Sequence, residues 1–391
     1  MSYDFDTVLD RWNTNSVKWD GMEGRYGTKD AVPMCVADMD FKAPPEVVHA
    51  LEARASHGIY GYTLRSDSYF EAVVDWMKNR HGFEIEKDWI AHSPGVVSGL
   101  GFVVEALTNP GDKVIIQPPV YYPFRRILEV GRRQIVENCL VYEDGRYTMD
   151  YDDVERKAAA GAKMIILCSP HNPVGRVWTR DELVRLGEIC LHYNVLIVAD
   201  EIHGDLIYEG YTHVPFGSIS RDYAEHSITC MAPSKTFNLA GLQTSNLIIA
   251  NQELRDRVNQ TITNHFVFGA NVFGVVALEA AYRHGGPWLD ALMEYLKGNL
   301  NLVMQYIESR IPSIKVIRPE GTYLVWLDCR ELGLDVKELD NFMLRKARVA
   351  LDEGHIFGHG GEGFQRLNIG CPRSVVEQGL VQLEKAMCEI R

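Results

Sequence analysis

The sequence predicts an α/β fold in which a mainly parallel sheet is covered by helices, followed by a smaller α+β domain. Three observations predict it. Short runs rich in Val and Ile recur through the middle of the chain, helical patterns separate them, and this alternation ends after about residue 285. Continuous apolar runs are typical of strands buried on both faces, and alternation with helices is typical of parallel sheets. The 391 residues allow two to three domains.

The candidate strands of the first region are five apolar runs, at 113–117, 163–168, 194–200, 227–232 and 246–250. Between two of them, residues 179–193 show the helical spacing of apolar side chains. Thr179 is the expected N-cap, and Glu182, three residues further on, completes the capping pattern. Upstream, the run GVVSGLGFVVEAL predicts a helix that begins at Gly95 or Val96. Strand and helix therefore alternate over most of this region.

The second region begins with a long amphipathic helix, LDALMEYLKGNLNLVMQYIESR, which strand-like KVIRP and GTYLVWLD follow. A further helix and the strand-like FQRLNIG complete it. We expect an N-terminal segment at 1–45 that packs with the small domain, a large domain at 46–285 and the small C-terminal domain at 286–391.

The composition of the chain argues against several classes of binding partner. The 40 Lys and Arg against 53 Asp and Glu give a net charge of −13, the wrong sign for binding nucleic acid. The eight cysteines form no C-x-x-C and are expected to be reduced core thiols, and the histidines lack metal-ligand spacing. The N-terminal residues do not resemble a secretory signal, and no apolar run has the length of a membrane span. We expect a cytoplasmic protein without a metal or membrane partner.

Polar side chains follow four of the apolar runs, where ligands bind in open α/β sheets. They are Tyr121 and Tyr122, the segment 169–173, Asp200 with Glu201, and Ser234 with Lys235. Each of them alone has an ordinary structural explanation, but four chemically matched strand ends in order are hard to attribute to packing.

These strand ends match one cofactor. The predicted helix start at Gly95 offers free N–H groups and a positive dipole end to a phosphate. A lysine amine can form a Schiff base, and a carboxylate can pair with a pyridinium nitrogen. Lys235, Asp200 and this helix start together indicate a site for pyridoxal phosphate.

The motifs also resemble a known family. SPHNPVG at 169–175, ADEIHGDL at 199–206 and APSKTFNLAGL at 232–242 resemble the signature blocks of fold-type I pyridoxal-phosphate enzymes, the class I/II aminotransferase superfamily. Within it, VADMDF, YGYT, PPVYYPF and FQRLNIG resemble the MalY/PatB branch of cystathionine β-lyases and related C–S lyases. The resemblance covers nearly the whole chain and implies the fold-type I transferase fold, with a seven-stranded sheet in the large domain.

The resemblance also implies roles for single residues. It implies that Lys235 forms the Schiff base with pyridoxal 5'-phosphate, that Asp200 faces the ring nitrogen and that Asn172 bonds the ring's 3-oxygen. The other implied cofactor residues are Tyr121, which stacks on the ring, the phosphate contacts Val96, Val97 and Ser234, and His203, which replaces a common tyrosine.

The resemblance further implies residues for the substrate and the partner subunit. Tyr122 lies where the lyases place a second active-site tyrosine and is predicted to be catalytic together with Lys235. Arg366 is predicted to bind the substrate α-carboxylate, with Ala37 of VADMDF as a second substrate contact. Tyr62 is predicted to reach the phosphate of the neighbouring subunit, which implies a homodimer with shared active sites.

The chain departs from the wider aminotransferase pattern at several positions. Ala232 and Gln243 stand where many members have a phosphate-binding Ser and Arg, so phosphate binding must depend on other donors. Cys35 stands where the lyase branch often has Trp, which alters the substrate side of the site. GHGGEG at 358–363 fits G-x-G-x-x-G, but no strand and tight turn precede it, so it is interpreted as a loop before Arg366.

The implied activity is α,β-elimination of an amino acid such as L-cystathionine or a cysteine S-conjugate, giving pyruvate, ammonia and a thiol. Two alternatives stay open: an aminotransferase acting on apolar or sulfur-containing amino acids, and a non-catalytic binding module. The intact Lys235, Asp200, Asn172 and Arg366 argue against the second.

Overall fold

The computed structural model describes residues 3–388. Its strands are β1 Val32–Pro33, β2 Ile90–Ser93, β3 Lys113–Ile116, β4 Gln134–Glu137, β5 Val141–Glu143, β6 Arg146–Thr148, β7 Met164–Cys168, β8 Leu196–Asp200, β9 Ser227–Met231, β10 Ser245–Ile248, β11 Lys315–Ile317, β12 Leu324–Asp328, β13 Val349–Ala350, β14 Asp352–Glu353 and β15 Phe364–Asn368. Its α-helices are α1 Met22–Tyr26, α2 Pro45–Ser56, α3 Asp67–His81, α4 Val96–Leu107, α5 Pro123–Val130, α6 Tyr151–Ala159, α7 Arg180–His192, α8 Arg221–Glu225, α9 Pro233–Thr236, α10 Gln252–Asn264, α11 Val272–His284, α12 Gly286–Arg310, α13 Val336–Asn341 and α14 Arg373–Met387.

A seven-stranded sheet forms the centre of the larger part, in the order β2-β10-β9-β8-β7-β3-β4. Its strands pair in parallel from β9 to β4, whereas β10 runs antiparallel to both of its neighbours. All five apolar runs of the sequence form strands of this sheet. The predicted α/β class, with a mainly parallel seven-stranded sheet, is confirmed.

Alternate residues of the central strands pack into different apolar clusters on the two faces of the sheet. Ile115, Ile165 and Ile197 lie in a cluster with residues of α6 and α7. Their chain neighbours, such as Val114 and Val198, lie in a cluster with residues of α4, α5 and α10. Because successive strand residues point to opposite faces, helices on both sides bury the whole run.

Two helix starts agree with the sequence-based expectation. Helix α7 begins after Thr179, whose hydroxyl accepts from the Glu182 N–H while the Glu182 side chain accepts from the Thr179 N–H. Helix α4 begins at Val96, with Gly95 as its N-cap and no side chain capping it. The first N–H groups of α4 therefore remain available to a ligand.

The C-terminal region contains a four-stranded antiparallel sheet, in the order β11-β12-β15-β14. GTYLVWLD and FQRLNIG supply its two central strands, β12 and β15, as their patterns predict. The N-terminal segment pairs with this region through β1 and β13, which run parallel. The domain boundaries at 45 and 285 stay predictions.

The cysteines differ in part from expectation. All eight are free thiols and six are buried, but Cys139 is only half-buried and Cys388 is exposed. Cys388 lies directly after α14, at the end of the described chain, where no core covers it. The description as core thiols is wrong for these two. Among residues 3–388, no helix has the length and apolar character needed to cross a membrane.

Candidate active site

The ends of β2, β3, β7, β8 and β9 surround a cavity of about 180 Å³. Nine of the predicted site residues line it: Ala37, Val96, Val97, Tyr121, Asn172, Asp200, His203, Ser234 and Lys235. Three do not. Arg366 is buried beside the cavity and contacts Asn172, Tyr122 is partly exposed next to Tyr121, and Tyr62 is fully exposed.

Lys235 is held in α9, a single turn that follows the end of β9. Its Nζ donates to the Ala37 carbonyl at 2.6 Å. Burial and, to a smaller extent, the positive charge of Arg366 lower the pKa of this amine to about 8, against the opposing effect of nearby carboxylates. An amine with this pKa is partly unprotonated near neutral pH, which is the state that can accept a proton or attack a carbonyl.

The segment around Ala37 is fixed from two sides. Asn238, three residues after Lys235, donates to the carbonyls of Met39 and Phe41 and accepts from the Met39 N–H. From β15, Asn368 Nδ2 donates to two further carbonyls of the segment, at 2.7 Å each. The Lys235 turn and the C-terminal sheet are therefore joined across this segment, which we call the VADMDF strap (residues 36–41).

Asp200 ends β8, is buried and lines the cavity. Its Oδ1 accepts from the Ile202 N–H at 3.2 Å. Burial raises the pKa of this carboxyl to about 7, and the charge of Lys235 opposes the shift only in part. The site would suit a cationic ligand atom next to Asp200, because a buried carboxylate is costly without a positive partner.

His203 is buried beside Lys235, and its Nδ1 has no hydrogen-bond partner among the described residues. Burial lowers the pKa of this imidazole well below its ordinary value, and the charges of Lys235 and Arg366 act in the same direction. The ring is therefore neutral at physiological pH.

The cavity is also lined by hydrogen-bond donors. Val96, Val97 and Ser98 line it at the uncapped N-terminus of α4, and Ser234 lines the same cavity. Gln243 has a left-handed backbone, with φ of 48°, and also lines the cavity. A helix N-terminus with several neutral donors suits a phosphate.

Arg366 lies on β15, between β12 and β14, and is almost completely buried. Its Nη1 donates to Asn172 Oδ1 at 2.9 Å, and its Nη2 donates to the Asp352 carboxylate and to the Cys35 carbonyl. Its Nε is buried without a partner among the described residues. The contact with Asn172 links Arg366 directly to the wall of the cavity.

The three tyrosines differ in burial. Tyr121 lines the cavity, and burial raises the pKa of its phenol, so it stays neutral. Tyr122 is 41% exposed, with its ring 5.5 Å from that of Tyr121. Tyr62 lies before α3, away from the cavity of its own chain.

Known proteins match this chain over its full length. The family model for aminotransferase class I and II matches residues 29–383. The chain belongs to that family. Among curated relatives, cystathionine beta-lyase PatB of Bacillus subtilis is 45% identical over 98% of this chain and 99% of its own length. Protein MalY of Escherichia coli is 33% identical over the whole of both chains.

Solved structures of other proteins superpose closely on this chain. Cystalysin from Treponema denticola, which contains a pyridoxal 5'-phosphate cofactor, has a TM-score of 0.97 and 41% identity over 100% of both chains. The pyridoxal-phosphate-bound C-S lyase from Staphylococcus hominis has a TM-score of 0.92 and 36% identity, covering 99% of this chain and 98% of its own. The family resemblance stated from the motifs is confirmed.

The residues of this family member fit pyridoxal phosphate. Asp200 is a buried carboxylate with no cationic hydrogen-bond partner among the described residues, and it lines the same cavity as the uncapped start of α4. The Lys235 amine lines this cavity as well. A ring nitrogen, a phosphate and an aldehyde carbon each find a chemically matched group here.

Several residues of the site were not found from the sequence. Ser98 and Thr244 also line the cavity, each one residue from a position that the motifs had singled out. Tyr323 donates its hydroxyl to the Ala37 carbonyl at 2.9 Å, and Asp352 holds Arg366. Tyr323 precedes a strand instead of following one, so the rule that selects strand ends passes over it.

Proposed function

We propose that the protein is a pyridoxal-phosphate-dependent carbon–sulfur lyase. It would catalyse α,β-elimination of L-cystathionine or a cysteine S-conjugate to pyruvate, ammonia and a thiol. The observation that carries this proposal is the Lys235 amine, with a pKa of about 8, in one cavity with the buried Asp200 carboxylate and beside Arg366. The full-length similarity to proteins named as cystathionine beta-lyases supports the choice of reaction.

When bound, pyridoxal phosphate supplies an electron sink that stabilises negative charge at the substrate Cα. The chain supplies the proton transfers and the orientation. Lys235 Nζ accepts the Cα proton, because its unprotonated form is populated near neutral pH. The Cβ–S bond then breaks with its electron pair on sulfur, and the Lys235 ammonium carries the proton that the leaving thiolate needs. Water then hydrolyses the released aminoacrylate to pyruvate and ammonia.

Other residues hold the substrate and the ring in place. Arg366 binds the substrate α-carboxylate, and its bond to Asn172 fixes the guanidinium relative to the cavity. Asp200 holds a proton on the ring nitrogen. Tyr121 covers one side of the ring, and Tyr122 is proposed to contact the reacting part of the substrate from its partly exposed position.

We further propose a homodimer with shared active sites. Tyr62 is fully exposed, and Ile59, Tyr60 and Leu64 beside it are more than half exposed. A contiguous stretch of large exposed apolar residues is typical of a protein interface. A partner subunit on this stretch would bury it and bring Tyr62 to the partner's phosphate. The eight free thiols favour the reducing cytoplasm as its location.

Product analysis tests the proposed reaction. Purified protein with added pyridoxal phosphate is mixed with L-cystathionine, and pyruvate and free thiol are measured with and without a keto acid acceptor. Equal amounts of pyruvate and thiol without an acceptor are expected. Turnover only with an acceptor would show an aminotransferase, which would use the same Lys235 for its proton transfers. The Lys235→Ala variant is the control, and full turnover by that variant would overturn the residue assignment.

A further inference from the structure

The arginine assigned to the substrate carboxylate is paired with a carboxylate of its own. Asp352 stands opposite Arg366 in the register of β14 and β15, and the two side chains form an ion pair. Each side chain is only 3% exposed. Water therefore screens the pair poorly, and the negative charge of Asp352 acts against a second carboxylate that approaches Arg366.

A second arginine contacts the same carboxylate from outside. Arg25, in the last turn of α1, donates through Nη2 to Asp352 Oδ1 at 2.6 Å, while Arg366 contacts Oδ2. The Arg25 guanidinium also lies 4.9 Å from the centre of the Tyr26 ring, and its side chain is 35% exposed. Tyr26 in turn donates to the carbonyl of Leu351, next to Asp352. Helix α1 is thus attached to the strand that bears Asp352.

Arg25 makes the total charge around Arg366 more positive by one. Arg366 and Asp352 alone sum to zero, and Arg25 adds a positive charge next to them, whereas Glu353, 3.7 Å from Arg25, is a further carboxylate on its outer side. Asp38, a further carboxylate near Lys235, has its own partners in Arg11 and Lys18. The positive field that a substrate carboxylate meets therefore depends on a residue outside the cavity.

We propose that Arg25 and Asp352 are positioning residues for recognition of the substrate carboxylate. Asp352 fixes the Arg366 guanidinium, and Arg25 restores the positive charge that Asp352 cancels. The ligand class is any amino acid with a free α-carboxylate. This inference rests on the proposed function, because it takes Arg366 as the carboxylate-binding residue.

The test compares ligands with and without a carboxylate. Binding of L-alanine, which has no β-leaving group, and of ethylamine is measured by calorimetry and by the cofactor absorbance of the loaded protein. Arg25→Met is expected to weaken L-alanine binding by about 3- to 10-fold and to leave ethylamine binding unchanged. In turnover the same variant raises KM with kcat unchanged. Arg25→Lys keeps the charge and should remain close to the unmodified protein. Arg310→Met, on the far end of α12, is the matched surface control.

A double variant separates charge from structure. Arg25→Met removes one positive charge from the cluster, and adding Asp352→Asn removes one negative charge, which restores the total. We expect the double variant to recover L-alanine affinity, and a purely structural role of Arg25 would give a further loss instead. Equal weakening of L-alanine and ethylamine by Arg25→Met, or no weakening, would overturn the inference. The binding measurements do not require turnover. A protein that makes no pyruvate would therefore disprove the lyase proposal, but the binding test of Arg25 could still be carried out and interpreted.

Discussion

At the scale of single residues, the two key groups of the site are both perturbed toward neutrality. Burial lowers the pKa of Lys235 to about 8 and raises that of Asp200 to about 7. Neither charge is stabilised by a bidentate partner; the Lys235 amine meets a neutral carbonyl, and Asp200 meets one backbone N–H. Perturbed groups that share one cavity are typical of functional sites, because packing alone gives no reason to bury them.

The lowered pKa of Lys235 predicts a pH dependence for cofactor capture. Only the unprotonated amine attacks the aldehyde, so the rate of covalent capture by cofactor-free protein should rise about tenfold per pH unit below pH 8. Above about pH 8 it should level off. Stopped-flow absorbance across pH 6 to 11 measures this rate. A rate that still rises at pH 10, as for a lysine at its ordinary pKa of 10.5, would contradict the prediction.

The raised pKa of Asp200 predicts that this carboxylate lowers the stability of the cofactor-free protein while it serves cofactor binding. Its carboxyl has a pKa of about 7 in the folded chain against an ordinary 3.8, so the folded protein holds the proton more tightly. The stability from that proton is present below about pH 4 and is lost as the pH rises through about 7. Cofactor-free Asp200→Asn should therefore be more stable than the unmodified chain at pH 8, by about 1–3 kcal/mol, while its cofactor affinity falls. Thermal melting of both proteins from pH 4 to 8 measures this difference. The same dependence of stability on pH in the two proteins would refute the prediction.

At the scale of elements, the sequence predicts where strands and helices lie, but it predicts less about which elements contact each other and in which direction strands pair. The run at 246–250 predicted a strand correctly, yet nothing in an apolar run reveals that β10 pairs antiparallel. The Thr179 cap and the start of α4 could be predicted because capping depends on residues that are close in the sequence. The contact of Arg25 with Asp352 spans 327 positions and depends on how α1 meets β14. Such a contact leaves no local pattern.

The VADMDF strap gives a prediction at this scale. Asn238 holds the strap through three hydrogen bonds and has a left-handed backbone, with φ of 60°. Asn238→Gly keeps that conformation accessible but removes the three bonds, so the free energy of unfolding should fall by about 2–3 kcal/mol. Denaturant titration measures the change.

A second asparagine provides the control for that variant. Asn194 is also left-handed, with φ of 54°, but it is exposed and its side chain makes no hydrogen bond among residues 3–388. Asn194→Gly should change the unfolding free energy by less than about 0.5 kcal/mol. Equal losses in the two variants would mean that backbone entropy, and not the strap, accounts for the effect.

At the scale of the whole molecule, the site residues come from distant parts of the chain. Asp200 ends a strand of the large sheet, and Asn172 and Lys235 follow the ends of two others. Arg366 belongs to the C-terminal sheet, and Ala37 to the strap between the two sheets. The motifs located these residues individually, since each motif is a short run. Their convergence on one cavity follows from the parallel order β9-β8-β7-β3, which places the strand ends at one edge. Tyr62 is fully exposed and does not line the cavity of its own chain, so its predicted role requires a second subunit.

Subunit mixing tests that requirement directly. Lys235→Ala removes the proposed Schiff-base amine from a subunit, and Tyr62→Ala removes the hydroxyl that this subunit would lend to its partner. Each homodimer should have low activity and weak cofactor binding. In a mixed dimer, one site would combine the intact Lys235 of one subunit with the intact Tyr62 of the other. If the two variants are unfolded together and refolded in equal amounts, half of the dimers are mixed and half of their sites are intact, so about a quarter of full activity should return. Cofactor absorbance of the mixture, measured beside the separate variants, should recover in the same proportion. Recovery that depends on mixing can arise only from shared sites, whereas a monomer, or a dimer with self-contained sites, would give only the average of the two variants.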